Sequence, residues 1–178
     1  MLPLRWRDER ATRLAAEAGA VLAGPRGSGS WSLSPASLLD LKPGTLFALP
    51  SPNGASLCVE AVRSGAVVFT GCLRNATAVA RAALRAADGA TIGVIPAGER
   101  WGRHDGPLRP ALEDQLGAGA VLSALPATLG RSPEADMVET GYRAVRPRME
   151  SLVARSTSGR ELDEWGFGRD VTLAAELD

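Results

Sequence analysis

Thr45-Leu46-Phe47-Ala48-Leu49, then Pro50-Ser51-Pro52-Asn53-Gly54, then a helical pattern over 55–63: this stretch decides the fold of the chain. Its first five residues are apolar and β-prone, the next five are turn formers, and the rest follow a helical period. The same order occurs twice more. Ala66-Val67-Val68-Phe69-Thr70 leads through Gly71-Cys72-Leu73-Arg74-Asn75 into a helix over 76–87. Thr91-Ile92-Gly93-Val94-Ile95 leads through a long loop, 96–110, into a helix over 111–125. An earlier apolar run, Ala20-Val21-Leu22-Ala23, follows a helix over 8–18. Strands alternating with helices predict an α/β fold, a three-layer α/β/α arrangement with a mostly parallel sheet. No linker or low-complexity tract interrupts 1–178, so the expectation is a single domain.

The helix ends are marked by residue type. Ser34-Pro35 and Ser132-Pro133 pair an N-cap serine with proline at the first helical position. Ser158-Gly159-Arg160-Glu161 reads as a capping box opening a short helix, and Asp170 as the cap of a last one. A long helix is expected over 134–155, kinked or broken at Pro147.

Composition excludes several classes of partner. Twenty Lys and Arg balance twenty Asp and Glu, so no net field draws the chain to nucleic acid or to an anionic membrane. No run approaches the ~20 apolar residues of a membrane span. The opening Arg5-Trp6-Arg7-Asp8-Glu9-Arg10 is too charged for a signal peptide. Two cysteines, Cys58 and Cys72, cannot build a disulfide framework and fit a reduced, cytoplasmic protein.

In open α/β sheets the ligand lies beyond the carboxyl ends of the strands. The loops at those ends hold Ser51 and Asn53, then Arg74 and Asn75, then Glu99, Arg100, Arg103, His104, Asp105 and Arg109, with Glu113 and Asp114 opening the next helix. Arginines near helix amino ends favour phosphate or carboxylate, and carboxylates beside such a site commonly hold magnesium. These residues point to an anionic ligand, with or without a divalent metal, and name no reaction. Each also has a local explanation. Asn53-Gly54 is a turn dipeptide, and Asn75 stands where a helix N-cap belongs. Glu113 and Asp114 complement their helix dipole.

Familiar mechanisms drop out by inspection. His104 is the one histidine, so a histidine-rich zinc site is excluded. Six positions beyond Cys72 and Cys58 stand Ala78 and Ser64, so no arginine completes a cysteine-phosphatase cradle. No Asp-x-Asp-x-Thr stretch and no Gly-x-Ser-x-Gly elbow occurs. Gly24-Pro25-Arg26-Gly27-Ser28-Gly29 looks like a phosphate loop but lacks its Lys-Ser/Thr ending.

Five blocks in order carry a family resemblance: Ser51-Pro52-Asn53-Gly54-Ala55, Cys72-Leu73-Arg74-Asn75-Ala76-Thr77, Ala97-Gly98-Glu99-Arg100-Trp101, Leu108-Arg109-Pro110-Ala111-Leu112-Glu113-Asp114-Gln115, and Ser158-Gly159-Arg160-Glu161-Leu162 with Gly166-Phe167 and Asp170-Val171. In these the chain resembles the 2-phosphosulfolactate phosphatases. The resemblance implies a cytoplasmic, magnesium-dependent hydrolase that removes phosphate from 2-phospho-3-sulfolactate, a step of coenzyme M synthesis. On that basis Glu99, Glu113 and Asp114 are expected to be catalytic, and Glu113 and Asp114 to bind Mg2+. Asn53, Arg74, Asn75, Arg100 and Arg109 are expected to bind a small anionic phosphoester. Two departures stand out: Leu49-Pro50-Ser51-Pro52 replaces a threonine-rich stretch, and the family's first strand, with its Asp-Val-Leu motif, is expected ahead of Met1. A sheet edge left open by that strand would be covered by self-association into a homo-oligomer or by rearrangement. The alternative is a non-catalytic member that binds an anion or a partner protein.

Overall fold

The computed structural model describes residues 1–28, 31–102 and 106–178; Gly29 of the glycine-rich loop and Arg103, His104 and Asp105 lie outside the described residues. The chain forms two compact units, one built on Met1–Val68 and the other on Phe69–Trp101 with Gly106–Asp178.

The first unit is the sheet unit. It comprises β1 (Leu2–Leu4), α1 (Glu9–Glu17), β2 (Val21–Leu22), β3 (Phe47–Pro50) and α2 (Gly54–Arg63). The strands run parallel in the order β1-β3-β2, with Leu2 opposite Ala48 and Val21 opposite Phe47. Asp8 starts α1 by accepting the Ala11 N–H at 2.8 Å, and Gly19, at φ +62°, turns the chain out of it. Ala11 and Ala15, one helical turn apart, pack with Leu4 and Ala48 into a small core. The α/β class and the parallel sheet agree with expectation. The strand at Leu2–Leu4 was not expected. It is three residues long, contains Pro3 and opens a charged stretch, features that suit an edge strand and hide it from a pattern search.

The second unit is mostly helical. After a 3-10 turn at Leu73–Asn75 come α3 (Ala76–Ala87), the strands β4 (Glu99–Arg100) and β5 (Leu108–Arg109), and α4 (Leu112–Ala124). Then follow α5 (Pro133–Val145), α6 (Met149–Arg155), α7 (Thr157–Glu164) and α8 (Gly168–Ala175). Every residue from 116 to 122 of α4 is buried, so this helix is the core of the unit, with α3 and α5 packed on it. That burial on all sides follows from a helix without a polar face beyond its first turn. Leu73, Leu116, Val121, Tyr142, Met149 and Val153 contribute to one continuous apolar cluster. A Cβ on Gly119 would stand 2.5 Å from Tyr142 Cβ and 2.9 Å from the Val138 carbonyl oxygen, so glycine sets the closest approach of α4 and α5. Pro147 ends α5 in a 3-10 turn, Arg146–Arg148, before α6, as expected for a residue that cannot donate to the helical ladder.

Several local expectations need correction. Residues 66–70 and 91–95 pair with no strand among the described residues, and Val67 and Ile95 are 72% and 68% exposed. An apolar β-prone run becomes a strand only where another backbone accepts its hydrogen bonds, and propensity alone does not supply one. Ser156, not Ser158, caps α7, accepting the Gly159 N–H at 3.0 Å. Phe167 holds the N-cap position of α8, and Asp170 lies buried in its first turn. The expected loop over 96–110 holds the antiparallel β4–β5 ribbon.

Candidate functional site

The ribbon brings the third polar cluster into a defined geometry. Glu99 pairs with Arg109 and Arg100 with Leu108. Gly98, just before β4, adopts φ +74°, and a Cβ there would stand 2.9 Å from the Arg109 carbonyl oxygen. Only glycine lets the two backbones approach so closely in that conformation. The ribbon closes through Trp101 N–H to the Pro107 carbonyl at 3.1 Å and Arg100 Nη1 to the Gly106 carbonyl at 3.0 Å.

Against this ribbon stand the two carboxylates that open α4. The Asp114 carboxyl is pushed up to about 6, although the Gly98 N–H draws it down. Burial is the main cause, and the charges of neighbouring Glu113 and, more weakly, Glu99 add to it. The amino end of a helix ordinarily favours carboxylates by about 0.3–1 kcal/mol. Desolvation and like charge outweigh that here. Glu113 Oε2 is buried and meets no hydrogen-bond partner among the described residues. Glu99 Oε1 accepts the Arg100 N–H at 2.7 Å. Glu99 and Glu113 thus stand near enough to Asp114 for their charges to raise its carboxyl.

Arg109, expected to bind the phosphoester, is buried beside α7. Its side chain is only 6% exposed. Nη2 donates to Glu161 Oε2 at 2.8 Å and to Ser158 Oγ at 3.2 Å, and the guanidinium lies 5.0 Å from the centre of the Trp101 ring. Ser158 and Glu161 were legible only as a capping box. The same i, i+3 spacing puts both on one face of α7, where they meet Arg109.

Arg74 and Asn75 sit at the start of α3. Cys72 and Leu73 there rest on Gly117 of α4, one turn beyond Glu113; a Gly117 Cβ would be 3.8 Å from Cys72 Cα. Asn75 Oδ1 accepts the Cys72 N–H at 2.7 Å, and its Nδ2 donates to the Thr70 carbonyl at 3.3 Å, so this side chain closes its own loop. Arg74 Nε pairs with Glu176 Oε2 at 3.1 Å. Asp178 accepts the Thr77 N–H at 2.9 Å and the Thr77 hydroxyl at 2.7 Å, which holds its carboxyl below the usual range. The amino end of α3 therefore already carries two of the chain's own carboxylates. Asn53 belongs to the sheet unit, at the N-cap position of α2, where its side chain makes no capping hydrogen bond.

Magnesium can be tested against this donor set. No three His, Cys, Asp or Glu side chains converge closely enough to hold an ion among the described residues. Magnesium does not require such a cage: it commonly takes one or two carboxylates and fills the other positions with water and phosphate oxygen. The unpartnered Glu113 oxygen and the crowded charge on Asp114 fit a two-carboxylate site of that kind.

The family model for 2-phosphosulpholactate phosphatase matches residues 9–178. The chain belongs to the 2-phosphosulpholactate phosphatase family, by its name a family of phosphoric monoester hydrolases. No curated protein matches it. Among the described residues no helix is long and apolar enough to cross a membrane.

Proposed function

We propose that this chain is a magnesium-dependent phosphatase acting on a small, doubly anionic phosphoester such as 2-phospho-3-sulfolactate. The observation that carries this reading is the set of carboxylates Glu99, Glu113 and Asp114 at the ribbon–α4 junction, within a chain matched almost throughout by the family model.

Glu113 and Asp114 would hold the ion, and once bound it would draw charge from the phosphoryl oxygens and orient the ester. Glu99, kept in place by the Arg100 N–H, is the carboxylate suited to positioning water and accepting its proton. Water oxygen then bonds to phosphorus, the ester P–O bond breaks, and the departing alkoxide becomes the alcohol by taking up the proton that Glu99 accepted from the water. Arg100 and Arg74 supply positive charge for the phosphate and the second anionic group. Substrate reaching Arg74 has to displace Glu176, a surface pair of modest strength, on the order of 0–1 kcal/mol.

Phosphate release from 2-phospho-3-sulfolactate, measured with and without Mg2+, tests the reading. Release that requires the ion and falls strongly in Glu99→Gln and Asp114→Asn supports it. Saturable binding of the phosphoester with no release under any divalent ion refutes catalysis and leaves a non-catalytic anion-binding member of the family.

A further inference from the structure

We infer that Ser158 and Glu161, on α7, are positioning residues for the acidic group, acting through Arg109. This rests on the reading of Glu99, Glu113 and Asp114 as the working site. The starting point is a guanidinium that is 6% exposed and yet fully engaged only at Nη2, while Arg109 Nε is buried without a partner among the described residues. A buried ion pair is a poor source of net stability, because desolvation offsets most of its attraction. Its value lies in fixing geometry, and here the geometry it fixes is that of the site.

Two short connections run from Arg109 to the carboxylates. Its backbone pairs with Glu99, so the position of β5 sets that of Glu99. A Cβ on Gly98 would stand 2.9 Å from the Arg109 carbonyl oxygen, and the Gly98 N–H is the group that draws the Asp114 carboxyl down. A displacement of β5 therefore reaches Glu99 through the ladder and Asp114 through a single glycine. At the other end α7 is firmly set. Ser156 caps it and donates to the Val153 carbonyl at 2.8 Å, and Gly159 packs so closely on that carbonyl that no side chain fits. Glu161 and Ser158 thus offer Arg109 a fixed anchor at 2.8 and 3.2 Å.

Amide hydrogen exchange at Gly98, read by NMR on the whole chain, isolates this role from general destabilisation. Glu161→Gln keeps the shape of the side chain and removes its charge. It should speed Gly98 exchange about tenfold while amides of α3 keep their wild-type rates. Phosphatase kcat should fall by about the same factor with KM little changed. Ser158→Ala, a smaller perturbation, should give a change of about threefold in the same direction. Unchanged exchange at Gly98 in both variants, or acceleration by the same factor at Gly98 and throughout α3, would overturn the inference. If Gly98 responds as expected but even the wild-type chain releases no phosphate, the phosphatase reading fails and the control of Gly98 by Glu161 stands.

Discussion

Gly98→Ala is the sharpest single perturbation the structure offers. At φ +74° an alanine adopts a left-handed conformation that costs about 1–2 kcal/mol. Its Cβ would also stand 2.9 Å from the Arg109 carbonyl oxygen and 3.2 Å from Leu108 Cδ1. Leu108 can rotate, but the carbonyl belongs to the ribbon and has to move with it. Forcing such a group aside costs about 1–3 kcal/mol, so the variant should lose about 2–5 kcal/mol in all. The site should register the same shift. The Gly98 N–H is the one influence that lowers the Asp114 pKa, so its withdrawal should push that carboxyl above its present value of about 6. Chemical unfolding gives the stability, and the acidic limb of the kcat/KM–pH profile gives the carboxyl. A Gly98→Ala protein as stable as wild type, with the limb unmoved, would refute the close-approach argument and the link from Gly98 to Asp114 together.

Other outcomes follow from the same geometry. Asp114 binds a proton in the folded chain at pH values, between about 4 and 6, where the unfolded chain has released it. Its contribution to stability therefore falls as pH rises through that window, and Asp114→Asn should be more stable than wild type by about 2 kcal/mol at pH 7.5 in metal-free urea melts, while losing activity. Saturating Mg2+ should shrink that advantage by stabilising wild type alone, a comparison read from paired thermal melts. Asp178→Asn should cost about 1 kcal/mol at neutral pH by weakening the cap on α3. Because that carboxyl is depressed, the loss should disappear as pH drops through the carboxylate range, which acid-series melts would show. Gly141→Ala, in α5 with nothing within 4 Å of its Cβ, should gain up to about 1 kcal/mol of helix propensity. Gly119→Ala should instead be destabilising by about 1–3 kcal/mol, since its Cβ meets Tyr142 and the Val138 carbonyl. Denaturant midpoints measured side by side would separate the two glycines.

The sequence by itself determined whatever depends on near neighbours. Ser132 caps its helix because its oxygen reaches an N–H group only three residues on. Pro147 had to end α5 because it lacks a donor, whatever packs around it. Glu113 and Asp114 fall in the first turn of α4 by simple counting along a helix. Five ordered blocks also carried the family, since their types and spacing are properties of the chain alone.

Tertiary structure decided which candidates meet which partners. Residues 66–70 and 91–95 have strand composition, yet a ladder needs a second backbone, and they find none among the described residues. Leu2–Leu4 has weak strand composition and pairs because β3 presents a free edge. Arg74 and Arg109 are both loop arginines in the sequence. One lies at the surface beside Glu176, 40% exposed, and the other is buried against Glu161, Ser158 and Trp101. Ser158 and Glu161 look like a local cap until a residue 49 and 52 positions away occupies the same face of α7. The raised carboxyl of Asp114 is likewise invisible in sequence, because it depends on how much water the fold removes and on how closely Glu113 and Glu99 are brought to it. Local chemistry names the candidate groups, and long-range packing sets their charge, exposure and company.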